Sequence, residues 1–322
     1  MLARTAFNLY WLARYLQRCE LTARMLSIQV ETLVDKPIAE ILFGWERLYR
    51  SLERDIPQWQ TQDSNEDELP SSDSLTLCDD LTFSTVNPDS AWACFVRVRE
   101  NARQVRYCIT EEVWSSINLT YLEYRDKTIL DVWESSPQFF YRDFARDIQS
   151  IEGVAEATMY RDDGWFFYQL GGIIEQAQQL CSMLLSQHEL LLSHRRLSTS
   201  TWVSLLRCYY AKETYEHVYG MTIDPRSAFN LLVFDSRLPC SLNALLKKLQ
   251  ATISDLGEAP NLVALQQIRS AMFSLATQVS HISSGFKASL ESLQSAQNIF
   301  TQIHEDIFNA WIGYTVEEAP VN

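Results

Sequence analysis

Helix breakers are scarce in this chain, with 9 glycines and 9 prolines in 322 residues. Those two residues are the ones that interrupt helices, and few Val/Ile/Thr-rich stretches alternate with period two, so the shortage predicts an all-α fold. Metal-ligand spacings are missing as well. The five histidines, at 188, 194, 217, 281 and 304, form no HxxxH pair and no ExxH of the di-iron bundle type. Seven cysteines, at 19, 78, 94, 108, 181, 208 and 240, include no CxxC, so they read as buried or free thiols in a reducing compartment. No GxSxG, no P-loop and no dinucleotide-type glycine motif occurs, and no motif joins Cys208 to His217. Neither a metal nor a cofactor is therefore expected.

Long apolar runs are also lacking. No stretch of 18 apolar residues is present, and Arg4 and Arg14 break up the first segment. A soluble, cytoplasmic protein without membrane contact is the expectation. Basic residues are outnumbered, 27 against 41 acidic, for a net charge of −14. Such a balance repels phosphate backbones and argues against nucleic acid or an anionic membrane as partner.

What is present begins at the first residue. Met1 to Val30 contains no Gly or Pro and has a helical period. At about 100° per residue, Leu9, Leu12, Tyr15, Leu16, Cys19, Ala23, Leu26 and Val30 share one face. Arg14, Gln17, Arg18 and Arg24 project from the other, with Glu20 at the border and four residues before Arg24. This predicts an amphipathic helix whose outer face is rich in arginine.

The stretch LYWLARYLQRCELTARML resembles the N-terminal signature of the bacterial alpha-E family, whose usual form reads NLYW-hydrophobic-GRY-hydrophobic-ERAENTARLL. Asn8, Leu9, Tyr10, Trp11, Arg14, Tyr15, Arg18, Glu20, Thr22, Ala23 and Arg24 match it, while Gln17 stands where the family has glutamate and Cys19 where it has alanine. A second match follows at Thr82, Phe83, Asn87, Pro88, Ser90 and the run Arg99-Glu100-Asn101-Ala102-Arg103. The resemblance covers most of the chain and implies an all-helical fold.

Along the chain, Lys36-Pro37 ends the first helix, and a second is predicted over 38–54 with Ile41, Leu42, Trp45, Leu48 and Leu52 at helical spacing. Residues of about 56–80 are polar, acidic and Pro/Ser-rich and are expected to be a mobile loop. Asn87-Pro88 reads as a helix start, with helical pattern through Trp114, Leu119, Leu122 and Trp133, then another segment over 139–159. After the turn at Asp162-Asp163-Gly164 the opening pattern returns. A shift of 158 residues carries Leu12 onto Leu170, Leu16 onto Ile174, Ala23 onto Cys181 and Gln17 onto Glu175. One domain, 1–322, is expected, a multi-helix bundle of two repeat-like halves of about 1–160 and 161–322. Helices are further predicted over 202–219 (ended by Gly220), from Leu238-Pro239-Cys240-Ser241, and in two pieces from Pro260 to about 312.

The arginines allow three readings: a solvated face, a grip on a carboxylate or phosphate, or pairing with acidic residues of a neighbouring helix. Arg14, Arg18, Arg24, Arg99 and Arg103 are the candidate binding residues, and the expectation is that Arg14 and Arg18 serve a partner site. Glu175, Glu20 and Glu100 are the candidate acid/base residues, against a structural Glu–Arg bridge between the repeats. Gln17, Gln176, Gln178 and Gly172 replace residues charged in the family pattern, which weakens the catalytic reading because an amide does not transfer protons as a carboxylate does. Alpha-E proteins tend to be encoded beside ATP-grasp-like ligases and transglutaminase-like peptidases. The resemblance thus implies a non-catalytic helical partner in peptide or amide-bond synthesis or modification, positioning such an enzyme or its peptide substrate. The alternative is an enzyme that joins Glu20, Glu100 and Glu175 with the arginines in one pocket. A homo-oligomer is left open.

Overall fold

A computed structural model describes residues 1–56, 69–193, 198–281 and 286–313. Among them are fourteen α-helices and no strand. The first half holds α1 (Ala3–Asp35), α2 (Ile38–Ser51), α3 (Leu69–Thr82), α4 (Ala91–Gln104), α5 (Glu111–Tyr124), α6 (Ile129–Ser135) and α7 (Pro137–Thr158). The second holds α8 (Asp163–Ser193), α9 (Ser198–Cys208), α10 (Lys212–Tyr219), α11 (Pro225–Phe234), α12 (Leu242–Leu256), α13 (Leu262–His281) and α14 (Phe286–Ile307), closed by a π-helical turn, Phe308–Ile312.

The fold is built on α1 and α8. These two make the most extensive contact in the molecule; α4 and α7 cover α1 elsewhere, and α2, α12 and α14 cover α8. Partner numbers rise together along the seam, from Met1–Asp163 through Arg14–Glu175 to Gln17–Gln176, so the two helices run parallel. Leu12, Leu16, Ala23, Leu170, Ile174 and Cys181 are all fully buried, as the apolar stripe predicted. One hydrophobic cluster joins residues from Ala6 to Trp311.

The expected outer face of α1 is not outside. Because α4, α7 and α8 surround the helix, Arg14, Gln17 and Glu20 are buried along with the leucines. A polar face survives burial only when its groups find partners.

Other differences have local causes. Within the stretch expected to be a loop, residues 57–68 lie outside the described residues, but α3 is helical from Leu69. Leu77 and Leu81, one helical turn apart, and Cys78 are buried, and this spacing outweighs the acidic composition. In α2 and α5, Leu42, Leu119 and Leu122 are exposed; α5 instead buries Val113, Ile117 and Tyr124. Asn87 does not cap a helix but accepts from the Asp89 N–H at 3.0 Å. The cap of α4 is Ser90, whose hydroxyl accepts from the Ala93 N–H at 3.3 Å. Ser90→Ala should cost about 1 kcal/mol by denaturant titration, and an unchanged midpoint would remove the cap assignment. The helix predicted over 202–219 is two helices, α9 and α10. Tyr210 sits between them at φ 50°, and the Ala211 N–H returns to the Leu206 carbonyl at 2.8 Å in a Schellman-type ending that glycine usually marks.

Candidate functional site

Arg14 and Arg18 lie one turn apart on α1, facing Glu175 of the parallel α8. The Arg14 Nε donates to Glu175 Oε2 at 2.6 Å and its Nη2 to Gln178 at 2.6 Å; the Arg18 Nε donates to Glu175 Oε1 at 2.8 Å. Asp89 closes on the outer edge of Arg18. Glu175 is 3% exposed. Burial alone would raise its pKa, but the two guanidinium charges and their hydrogen bonds overcome this and hold it at about 2. Arg14 also lies over the Trp11 ring at 4.9 Å. Tyr10 closes the inner end, its hydroxyl 2.7 Å from His304 Nδ1, and burial with the nearby Arg14 charge keeps His304 neutral, its pKa lowered to about 4. A carboxylate so firmly ionised does not exchange protons near neutrality.

Across the seam lies a neutral counterpart. The shift of 158 that carries Gln17 onto Glu175 also carries Arg18 onto Gln176 and Arg14 onto Gly172. Gln176 Nε2 donates to Gln17 Oε1 at 2.6 Å, the amide equivalent of the Arg18–Glu175 bond. A Cβ on Gly172 would have Gln17 Cγ as its nearest neighbour at 3.8 Å, an ordinary contact distance.

The model of Alpha-E, a predicted alpha-helical domain with a conserved ER motif, matches residues 1–312. The chain belongs to the Alpha-E family. No curated protein and no solved structure matches it. With the signature aligned as above, the Glu-Arg pair falls on Gln17-Arg18, and in the second half on Glu175-Gln176. Arg18 and Glu175, one from each of these two positions, form an ion pair across the seam.

The three glutamates of the catalytic alternative do not converge. Glu100 is exposed on α4 and pairs with Arg103 and Gln104 of its own helix. Its place follows from the helix: Val98 and Ala102 take the inward positions. Glu20 is buried but engages Arg24 at 2.8 Å and Gln149 of α7 at 2.8 Å. Arg24 in turn reaches the Cys208 carbonyl and stacks at 4.6 Å on Tyr210. Arg99 donates to Asn118 and packs on Trp114 and Tyr121, while Arg103 is exposed. Among the described residues no group of three or more His, Cys, Asp or Glu could hold a metal ion, and no helix is long and apolar enough to cross a membrane.

Two side chains escaped the sequence reading. Arg47 of α2 is buried and, among the described residues, meets no carboxylate; Gln187 and the Thr201 carbonyl accept from it at 2.9 and 2.8 Å. Glu152 of α7 accepts from Gln17 beside Glu20. Nothing in the spacing of α7 marks it, because its surroundings come from α1, α8 and α12. Burial, then the Glu20 charge, push its carboxyl up to about 8 against the pull of Arg24 and Lys248. The folded chain then keeps this proton up to about pH 8, whereas the unfolded chain releases it near an ordinary 4.5. Stability is complete below the lower value and is lost as pH rises through the upper one. Glu152→Gln should therefore melt close to the parent near about pH 4.5 and above it near about pH 9. A gap that does not grow with pH would contradict the raised carboxyl.

Proposed function

We propose that this Alpha-E chain is a non-catalytic helical partner, acting in the cytoplasm, in a system that makes or modifies peptide or amide bonds. It binds or positions an ATP-grasp-like ligase or its peptide substrate. The observation that carries this reading is the mutual saturation of Arg14, Arg18 and Glu175: with Asp89, the groups nearest to a catalytic constellation neutralise one another in the scaffold. The exposure of Glu100, paired within its own helix, speaks for this reading over the three-glutamate pocket of the enzymatic alternative.

The test is co-purification of the tagged full chain from its own cells at low and high salt, with the captured proteins identified by mass spectrometry. Enrichment of an ATP-grasp-like or transglutaminase-like protein supports the reading. Enrichment of neither, with the tagged chain folded and abundant, overturns it. Because Arg14, Arg18, Arg24 and Arg99 are engaged internally, capture should vary with surface charge such as Arg103 rather than with Arg14.

A further inference from the structure

On the side of the seam that lacks the ion pair, a cleft of about 400 Å³ opens between α1, α7, α8 and α12. A second lobe of about 320 Å³ shares Gln17, Gln149, Glu152, Gln176 and Lys248 with it. These volumes fall in the range of small-ligand sites. On the rim, Tyr210 holds its left-handed backbone conformation, half exposed, with Arg24 against its ring. Sparsely populated backbone at a cleft rim is where positioning strain tends to collect.

The polar groups of the cleft are unevenly satisfied. Glu20 and Arg24 are engaged with each other, with Gln149 and with the Cys208 carbonyl. Glu152 has only Gln17 as hydrogen-bond partner among the described residues, so one of its oxygens is free. The side-chain amide nitrogens of Gln149 and Gln176 are used and Gln149 also meets Tyr210, whereas the Gln176 oxygen has no hydrogen-bond partner among the described residues. Lys248 feels Glu152 and Glu156 but forms no ion pair with any described residue. The unsatisfied set that reaches the cleft is thus acceptors and one ammonium, the unpaired Arg24 Nε being buried.

That set selects the charge of the ligand. A simple cation would meet the acceptors but be repelled by Lys248. A simple anion would meet Lys248 but sit beside Glu20, Glu152 and Glu156 in a chain of net charge −14. A molecule carrying both an ammonium and a carboxylate satisfies both ends. We propose that this cleft binds an amino acid or short peptide with free termini, the ammonium held by Glu152 with the Gln176 oxygen and the carboxylate held by Lys248. The inference deepens the peptide-handling reading and rests on it only for the biological role; the chemistry stands on the cleft.

A proton should leave on binding. The charged groups facing Glu152 are Glu20 and Arg24 from α1 and Lys248 from α12, with Tyr168 packed on it from α8 and Glu156 one turn along α7. Their balance leaves the carboxyl mostly protonated at neutral pH, its pKa being about 8. An ammonium docked beside it favours the carboxylate form and expels the proton.

Calorimetry on the purified full chain tests this with L-alanine, L-alanyl-L-alanine, the N-acetylated dipeptide and the dipeptide amide. Alanine and the dipeptide separate an amino-acid site from a peptide site, and binding of either one supports the proposal. Blocking either terminus should weaken binding about tenfold or more, as expected for loss of one charge-assisted contact. Buffers of different ionisation heat should reveal proton release at neutral pH, absent in Glu152→Gln. Lys248→Ala should weaken the free dipeptide about tenfold while leaving the amide unchanged. Blocked and free peptides binding alike, or no probe binding to a chain with a normal melt, overturns the site. Peptide binding without partner capture would remove only the partner reading, and capture without peptide binding only the cleft.

Discussion

Glu175→Gln is expected to destabilise the chain by about 3–5 kcal/mol at neutral pH, measured by urea denaturation, because it strands the Arg14 guanidinium inside the α1/α8 seam and leaves Arg18 with Asp89 alone. Arg14 is 5% exposed and has no other carboxylate among its hydrogen-bond partners, so the variant leaves its charge without a counterion. An independent route gives a similar size. Lowering the carboxyl from 4.5 to about 2 in a fully buried group corresponds to about 3 kcal/mol of preference for the folded, ionised state.

The same link sets the pH dependence. A folded-state pKa below the unfolded one stabilises the fold above about pH 4.5, and that contribution is lost as pH falls through about 2. The gap between parent and Glu175→Gln should therefore narrow steadily below about pH 4.5. A gap under about 1 kcal/mol at neutral pH, or one that is the same at about pH 7 and pH 2.5, would mean that the ion pair does not hold the seam. Removing Arg14 and Arg18 together strands Glu175 in its turn and should destabilise on the same scale. Such a variant therefore reports on the scaffold before it reports on any partner.

How far the sequence reveals this arrangement depends on the range of the signal. The apolar stripe of α1 and its return in α8 are periodic and local, and the six side chains read from them are all buried. What periodicity cannot say is which helices cover the opposite face. Arg14 looks outward on an isolated helix and becomes internal only because α4, α7 and α8 enclose α1. The cap at Ser90, the turn at Tyr210 and the helicity of α3 were hidden for another reason. Each depends on a single backbone angle, one hydroxyl or a short apolar spacing inside a polar stretch. The Glu20–Glu152 neighbourhood was the least legible. It joins α1 to an antiparallel α7 across 132 positions, and no local pattern encodes that distance.

Adjacent glycines in α8 provide the other large effect, with opposite signs. At Gly171 an added Cβ would stand 2.0 Å from the Tyr10 carbonyl oxygen and 2.8 Å from its carbon, both backbone atoms of α1. No rotamer change relieves such a contact, so the parallel helices must separate along the seam that buries Leu12, Leu16, Leu170 and Ile174. Gly171→Ala should cost about 3 kcal/mol or more, the upper end for overpacking, despite the better helix propensity of alanine. At Gly172 the nearest atoms are side-chain carbons at 3.8 and 4.0 Å, ordinary contact distances. There the propensity gain is unopposed, and Gly172→Ala should stabilise by up to about 1 kcal/mol. Paired denaturation curves of the two variants decide the matter. If both move the midpoint in the same direction, the close approach of α1 and α8 at Tyr10 is not what fixes their spacing. If the signs differ, the seam is set by backbone contact at Gly171, and the ion pair beyond it closes on helices already held at that distance.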